Sequence, residues 1–114
     1  MKNEIGDKAR LHHIFDAILE IETYIKKSSF EDFQNNSMMQ FACIKQLEIV
    51  GEAANRLSDH FKNLYTEIEW REIVGMRNIL IHEYFGVDEK IVWGIINRDI
   101  PELKIKVEQI LDRI

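Results

Sequence analysis

The sequence predicts an all-α protein, an antiparallel bundle of about five helices formed by residues 1–114 as a single domain. Apolar residues recur at steps of three and four through most of the chain, which is the spacing of a helix face. Alternation with period two, which would indicate strands, does not extend over a useful length. The chain has one proline and five glycines among its 114 residues, so long stretches contain no helix breaker.

The first two predicted helices carry the clearest apolar stripes. The first spans about Asp7–Lys27 and ends at Ser28–Ser29, and the second spans about Asn36–Asp59. Either Asn36 or Ser37 can cap the second helix, because a short polar side chain accepts a hydrogen bond from a free first-turn N–H. The stripes consist of Leu11, Ile14, Ile18, Ile21 and Ile25 in the first helix, and of Cys43, Leu47, Val50, Ala54, Leu57 and Phe61 in the second.

The last part of the chain predicts three shorter helices after a connection of mixed character at Phe61–Glu69. The third helix spans about Trp70–Tyr84. Asp88 is the expected N-cap of the fourth helix and Asp99 that of the fifth, with Pro101 in a first turn where its missing N–H costs little. The apolar stripes here are Ile91, Val92, Ile95 and Ile96, then Leu103, Val107, Ile110 and Ile114.

Composition limits the classes of function. The formal net charge of -5 argues against a protein that holds nucleic acid by bulk charge alone, so RNA or DNA chemistry would need a local cationic site. The single cysteine, Cys43, cannot form an internal disulfide, which fits the reducing cytoplasm. The sequence shows neither a secretory signal nor an apolar run long enough for a membrane span.

Cofactor and metal sites have no support in the pattern. His12 and His13 are adjacent, so on a helix they point about 100° apart and cannot form a metal-binding pair. No phosphate-binding loop, dinucleotide fingerprint or Ser-His-Asp pattern appears. We therefore expect neither a metal nor an organic cofactor.

One helical segment concentrates residues capable of chemistry. Arg77 and Tyr84 are seven positions apart and lie nearly in line on a helix, while Asn78 and His82 are four apart and stack on one another. Between the two pairs fall the apolar residues Val74, Ile81 and Phe85. A helix face that mixes cationic and apolar groups in this way suits a cleft, or an interface that contains a polar pocket.

Two interpretations of this segment stay open on spacing alone. In the first, Arg77 forms an ion pair with an acid on another helix, and His82 caps the C-terminus of its own helix, where the dipole favours a cation. In the second, Arg77 binds a phosphate through its planar fork, and His82 transfers a proton near neutral pH. Asn78 then holds the histidine in one tautomer or binds a phosphate oxygen. Those groups suffice for RNA cleavage without a metal.

The second helix contains an interior glycine followed by an acid. Gly51 would cost up to about 1 kcal/mol relative to alanine in an ordinary helix, so it indicates a close crossing with another helix. Glu52 could pair with Arg77, or with a neighbouring arginine, and orient it. We regard Glu52 as a supporting residue of the candidate site.

At these residues the chain resembles the HEPN superfamily, whose ribonucleases carry an Arg and a His four to six residues apart, with a polar residue after the Arg. It is most similar to the HepT toxins of HepT–MntA toxin–antitoxin modules, where the motif adds a tyrosine that Tyr84 matches. The similarity extends over most of the chain. It includes 13–18, 49–54, 68–70, 75–78, 82–85, 92–93 and 99–103.

The resemblance implies a homodimer in which Arg77 and His82 of two protomers meet in a shared cleft. It implies a metal-independent endoribonuclease, with Asn78 in the site and tRNA or mRNA as substrate, acting as the toxin of a type VII toxin–antitoxin system. The implied antitoxin is an MntA-like nucleotidyltransferase that transfers AMP to Tyr84. The alternatives are a non-catalytic substrate- or nucleotide-binding subunit of a nucleotidyltransferase complex, and a purely structural dimerisation module.

Overall fold

The computed structural model describes residues 2–82 and 88–114, and the regular elements within these two ranges are all helices. This confirms the all-α prediction. The helices are α1 (Lys2–Ile25), α2 (Phe30–Gln34), α3 (Ser37–Arg56), α4 (Asp59–Leu64), α5 (Trp70–His82), α6 (Glu89–Gly94) and α7 (Ile100–Arg113), with a π-helical turn at Ile95–Asp99 joining α6 to α7.

The two longest helices, α1 and α3, pack side by side and antiparallel. The Arg10 guanidinium near the start of α1 donates to the carbonyl oxygen of Arg56 at the end of α3, at 3.0 Å. At the opposite end, the Gln46 amide donates to the Tyr24 hydroxyl at 3.1 Å. A third helix, α5, also packs on α3, so α3 lies at the centre of the arrangement that positions the motif.

The ends of α3 follow from its flanking residues. The Asn36 side chain accepts a hydrogen bond from the backbone N–H of Met39 at 3.0 Å, which confirms Asn36 as the N-cap. The helix stops at Arg56 rather than at Asp59, because Leu57 has an extended backbone with φ −63° and ψ 143°. Ser58 then caps the next helix by accepting from the N–H of Phe61.

Two short helices were not expected from the apolar spacing. The first, α2, starts with a reciprocal capping box in which Ser29 Oγ accepts from the Asp32 N–H and Asp32 Oδ2 accepts from the Ser29 N–H. The second, α4, occupies part of the predicted Phe61–Glu69 connection. Helices of five and six residues are too short to display a helical period, so capping residues are their main signal.

The C-terminal helices form one continuous helical segment, and this corrects a sequence prediction. Asp88 does cap α6, with its carboxylate accepting from the Lys90 N–H at 2.8 Å. Asp99 does not act as a cap: its backbone is helical, and its side chain makes no capping hydrogen bond. The N–H of Ile100 instead bonds to the carbonyl of Ile95, five residues earlier. This wider turn lets the helix continue past Pro101, whose ring would clash with the carbonyl of an ordinary α-turn.

The predicted apolar stripes form the core. The buried members include Leu11, Ile14, Ile18, Ile21, Cys43, Leu47, Val50, Ala54, Leu57, Phe61, Val92, Ile96, Leu103, Val107 and Ile110. Of the other stripe residues, Ile25 and Ile95 are partly buried against this core, whereas Ile91 is 55% exposed and Ile114 is 42% exposed. In the part of the chain that the structure describes, no helix is long and apolar enough to cross a bilayer.

Candidate functional site

The helix that carries the motif is held at its first residue and along one face. The Trp70 indole N–H donates to the carbonyl oxygen of Tyr65 at 2.9 Å, and the Trp70 ring is buried against Phe61. Farther along α5, Met76 and Leu80 are buried. Arg77 therefore lies at the edge of the buried face, with 27% of its side chain exposed.

Arg77 packs directly against Gly51 of α3. A β-carbon added at position 51 would lie 2.7 Å from Cβ of Arg77 and 3.5 Å from its Cα. Real β-carbons do not approach so closely, so the two helices can cross here only because residue 51 has no side chain. The predicted close crossing at Gly51 is thus confirmed, and its partner is the motif arginine itself.

The next residue of α3, Glu52, binds two arginines. Its Oε2 accepts from Nη1 of Arg77 at 2.6 Å, and its Oε1 accepts from Nε of Arg56 at 2.7 Å. The pairing of Glu52 with Arg77 was one of the sequence predictions, and so was an ion pair between Arg77 and an acid on another helix. Both are confirmed by this one contact, which holds the guanidinium against α3.

The same contacts keep Glu52 ionised. The hydrogen bond from Arg56 lowers the pKa of the Glu52 carboxyl most strongly, and the positive charges of Arg77 and Arg56 lower it further. Partial desolvation raises the pKa, but the net direction is downward from the ordinary value of 4.5. At neutral pH, Glu52 is a carboxylate between two cations.

An open cleft of about 520 Å³ adjoins this group. It lies between α1, α3 and α5 and is rich in basic side chains. Its lining consists of Arg10, His13, Lys45, Glu48, Ile49, Glu52, Ala53, Arg56 and Arg77. The cleft therefore supplies a local positive region on a chain whose net charge is -5.

Of the other predicted site residues, the structure describes Asn78 in full, His82 only in its backbone, and Tyr84 not at all. Asn78 follows Arg77 on α5 and is exposed to solvent. His82 is the last residue of α5, five positions after Arg77 on the same helix, and its side chain lies outside the described part of the structure. Tyr84 also lies outside the described residues. The structure thus brings together Arg77 and Glu52 of the predicted set.

Metal ligation finds no candidate in the described ranges. Among the side chains that the structure describes, no three from His, Cys, Asp or Glu are grouped closely enough to hold an ion. Cys43 is buried in the core, and burial raises the pKa of its thiol to about 11.

Among the basic residues of the cleft, sequence reasoning missed Arg10, His13, Lys45 and Arg56. A signal for one wall was present, since Lys45, Glu52 and Arg56 are spaced by seven and four residues and so share one face of α3. The contribution of α1 had no comparable signal, because it depends on which face of α1 meets α3.

Comparisons with known proteins identify relatives along almost the whole chain. The model of the family described as Ribonuclease HepT-like matches residues 14–110. The chain is 46% identical over 103 residues to "Probable ribonuclease HepT" of Thermococcus cleftensis, which covers 90% of this chain and 94% of that protein. It is 39% identical over 101 residues to "Putative RNase MJ1380" of Methanocaldococcus jannaschii, with 89% and 93% covered. No solved structure matches the chain.

Proposed function

Because this chain belongs to the HepT-like ribonuclease family of the HEPN superfamily, we propose that it is an endoribonuclease whose catalytic side chains are Arg77 and His82. The observation that carries the proposal is the fixed position of the Arg77 guanidinium, held by Glu52 at the edge of a cationic cleft. In this proposal residues 1–114 form a single HEPN domain.

In the proposed reaction, His82 removes the proton of a ribose 2′-hydroxyl. The oxygen attacks the adjacent phosphorus, the bond to the 5′-oxygen breaks, and that oxygen takes up a proton. The products are a 2′,3′-cyclic phosphate and a 5′-hydroxyl. A positioned base or acid contributes roughly 10²–10⁴-fold to such a reaction, and histidine titrates in the range where it can fill either role.

Arg77 would stabilise the charge that develops on the phosphate. A guanidinium has five N–H donors, and the Glu52 contact uses the Nη1 end of the group. Donor capacity thus remains for phosphate oxygens, in a planar fork that matches their geometry. A fixed donor of this kind is worth roughly 10²–10³-fold. Asn78, exposed beside Arg77, would supply a neutral donor to the same phosphate.

Glu52 is assigned a positioning role. Its carboxylate holds Arg77 in one orientation and shares its negative charge with Arg56. The arginine therefore reaches the substrate without having to be ordered at the moment of reaction.

We further propose that the active form is a homodimer in the cytoplasm. Pairing of two copies around α5 would place two Arg77 and two His82 side chains in one groove, so one histidine acts as base while the other acts as acid. It would also double the local positive charge. The groups assigned here complete the reaction without a metal ion.

The regulatory part of the proposal concerns Tyr84. We propose that the chain is the toxin of a type VII toxin–antitoxin system, and that an MntA-like nucleotidyltransferase neutralises it by transferring AMP from ATP to the Tyr84 hydroxyl, with release of pyrophosphate. A nucleotide near Arg77 would add bulk and negative charge where RNA must bind. Intact-mass measurement with the cognate transferase and ATP tests this: the wild type should gain AMP, and Tyr84→Phe should not. AMP on Tyr84→Phe would contradict it.

The reaction itself is tested with a short RNA in EDTA and a second copy with one 2′-deoxyribose at the cleaved position. The proposal predicts cleavage of the first at that position, with cyclic phosphate ends, and no cleavage of the second there. Cleavage at the deoxy position would refute the attack by the 2′-hydroxyl. An intact RNA together with a tight transferase complex would favour a non-catalytic binding subunit.

A further inference from the structure

We propose that the basic cleft lined by Arg10, Lys45 and Arg56 binds the sugar–phosphate backbone of the RNA strand beside the cleaved bond. This inference rests on the proposed function and extends it, because it assigns a binding surface outside the Arg77/His82 pair. It also gives a role to side chains on α1 and α3 that no catalytic step uses.

The charge of the cleft supports an anionic ligand. Its lining contains four cationic side chains from arginine and lysine, and two carboxylates. The net charge of the lining is therefore +2 before His13 is counted, whereas the whole chain carries -5. One of the carboxylates, Glu52, is already paired with two arginines. Such a concentration of one sign in a concave surface raises the local concentration of oppositely charged ligands.

The arginines retain donors that can reach a phosphate. Arg56 uses Nε for Glu52, its side chain is 62% exposed, and its two terminal nitrogens carry further N–H groups. Arg10 uses Nη1 for the carbonyl of Arg56. This bond ties the Arg10 guanidinium to the end of α3, so its position is fixed before a ligand arrives.

The cleft is longer than a single phosphate. Lys45 and Arg56 are eleven residues apart on α3, which corresponds to roughly 16 Å along the helix axis. Arg77 of α5 meets this face of α3 between them, through its contact with Glu52. A strand that follows the cleft would therefore place consecutive phosphates near Lys45, Arg77 and Arg56.

Phosphodiester backbone is the favoured ligand because the lining offers charge without a deep apolar pocket. Arginine forks and a flexible lysine match phosphate oxygens, and the apolar part of the lining is Ile49 and Ala53. Glu48, the second carboxylate of the lining, limits the net charge of the cleft and would disfavour an indiscriminate polyanion. The cleft thus fits a flexible strand that is held by its phosphates.

Lys45→Gln is the test variant, because Lys45 is exposed and its loss leaves the packing of α3 unchanged. The matched control is Lys26→Gln, which removes the same charge from an exposed lysine outside the cleft. Binding of a labelled, fully 2′-O-methylated RNA is measured at several salt concentrations, so that cleavage cannot occur. Cleavage of unmodified RNA by the wild type is followed in parallel.

A phosphate contact to a single strand contributes about 0.7 to the slope of log K against log salt, or about 5-fold in affinity between 1 M and 0.1 M salt. We expect the slope for Lys45→Gln to be smaller than that of the wild type by about 0.7, and its affinity at 0.1 M salt to be about 5-fold lower. Lys26→Gln should match the wild type in both. Equal affinity and slope for Lys45→Gln and the wild type would overturn the inference, even if the wild type cuts RNA. Absence of cleavage by the wild type would instead refute the proposed function, which separates the two failures.

Discussion

Cβ of Arg77 occupies the space that a side chain at Gly51 would fill, so the motif arginine and the interior glycine of α3 define each other's position. The residue after Gly51 is Glu52, which binds the Arg77 guanidinium. Two consecutive residues of α3 thereby fix the arginine side chain, Gly51 at its start and Glu52 at its guanidinium end. This relationship links the packing of two helices to the geometry of the proposed site.

Gly51→Ala should destabilise the protein. The new methyl group would lie 2.7 Å from Cβ of Arg77, and overpacking of this kind costs about 1–3 kcal/mol, against a gain of up to about 1 kcal/mol in helix propensity. The control is Gly94→Ala, where the added methyl group would meet only the end of the Arg98 side chain, at 3.9 Å. Urea unfolding should show lower stability for Gly51→Ala and unchanged or higher stability for Gly94→Ala. Equal stabilisation of both would contradict the close crossing.

Glu52→Gln should reduce RNA cleavage far more than stability. The substitution keeps the shape but removes the charge that orients Arg77, and misplacement of a catalytic group by about 1 Å can cost 10²-fold. The ion pairs are partly exposed, so their loss should change the unfolding free energy little. Single-turnover cleavage and urea unfolding measure the two effects, with exposed Glu108→Gln as the control. Wild-type cleavage by Glu52→Gln would remove Glu52 from the site.

The pH dependence of the Glu52 contact has a definite sign. Because its pKa is lowered in the folded state, the stabilisation by its ion pairs is present above the ordinary value of 4.5 and is lost as pH falls through the lowered value. The contact therefore stays intact at pH 5 to 8. Across that range, the pH profiles of cleavage for the wild type and Glu52→Gln should have the same shape. A limb between pH 5 and 8 that disappears in Glu52→Gln would contradict the assigned ionisation.

Ser58→Ala should destabilise the contact between α1 and α4. Ser58 donates from its N–H and its hydroxyl to the buried Asp7 carboxylate at 2.8 and 2.6 Å, and its oxygen caps α4. Loss of the cap and of one donor to Asp7 should cost about 1–3 kcal/mol. Ser29→Ala, which removes an exposed cap of α2, should cost about 1 kcal/mol or less. Urea unfolding compares them, and an equal loss would show that Asp7 adds nothing.

Cys43 should resist modification in the folded protein. Burial raises the pKa of its thiol from 9.0 to about 11, so the reactive thiolate is scarce at pH 8. A thiol-specific reagent should label one equivalent in urea, since the chain has one cysteine, and far less without urea. The same shift favours the folded state fully below pH 9.0 and is lost as pH rises through about 11. Native labelling at the unfolded rate would contradict the burial.

The sequence was sufficient for the long helices because their stripes repeat over several turns. The stripe residues from Leu11 to Ile21 in α1 and from Cys43 to Ala54 in α3 are buried as predicted. The short helices were missed because five or six residues contain too few turns to show a period. Asp99 was assigned as a cap because local signals cannot show that a π-turn carries the helix past Pro101.

The candidate site was predictable where its residues share a helix. The motif around Arg77 and the Gly51–Glu52 pair follow from spacing along α5 and α3. Arg10 and His13 could not be assigned, because their role depends on how α1 packs across α3, and this contact joins residues 46 positions apart. Tertiary packing, rather than local pattern, therefore decides which basic residues form the cleft.

The most direct test of the central claim is single-turnover cleavage of one RNA in EDTA by four purified proteins: the wild type, Arg77→Ala, His82→Ala and Arg71→Ala. Arg71 is an exposed arginine on the same helix and serves as the matched control. We predict that the first two variants lose at least about 10²-fold in rate and that Arg71→Ala cuts like the wild type. Equal rates for all four proteins would contradict a site built on Arg77 and His82.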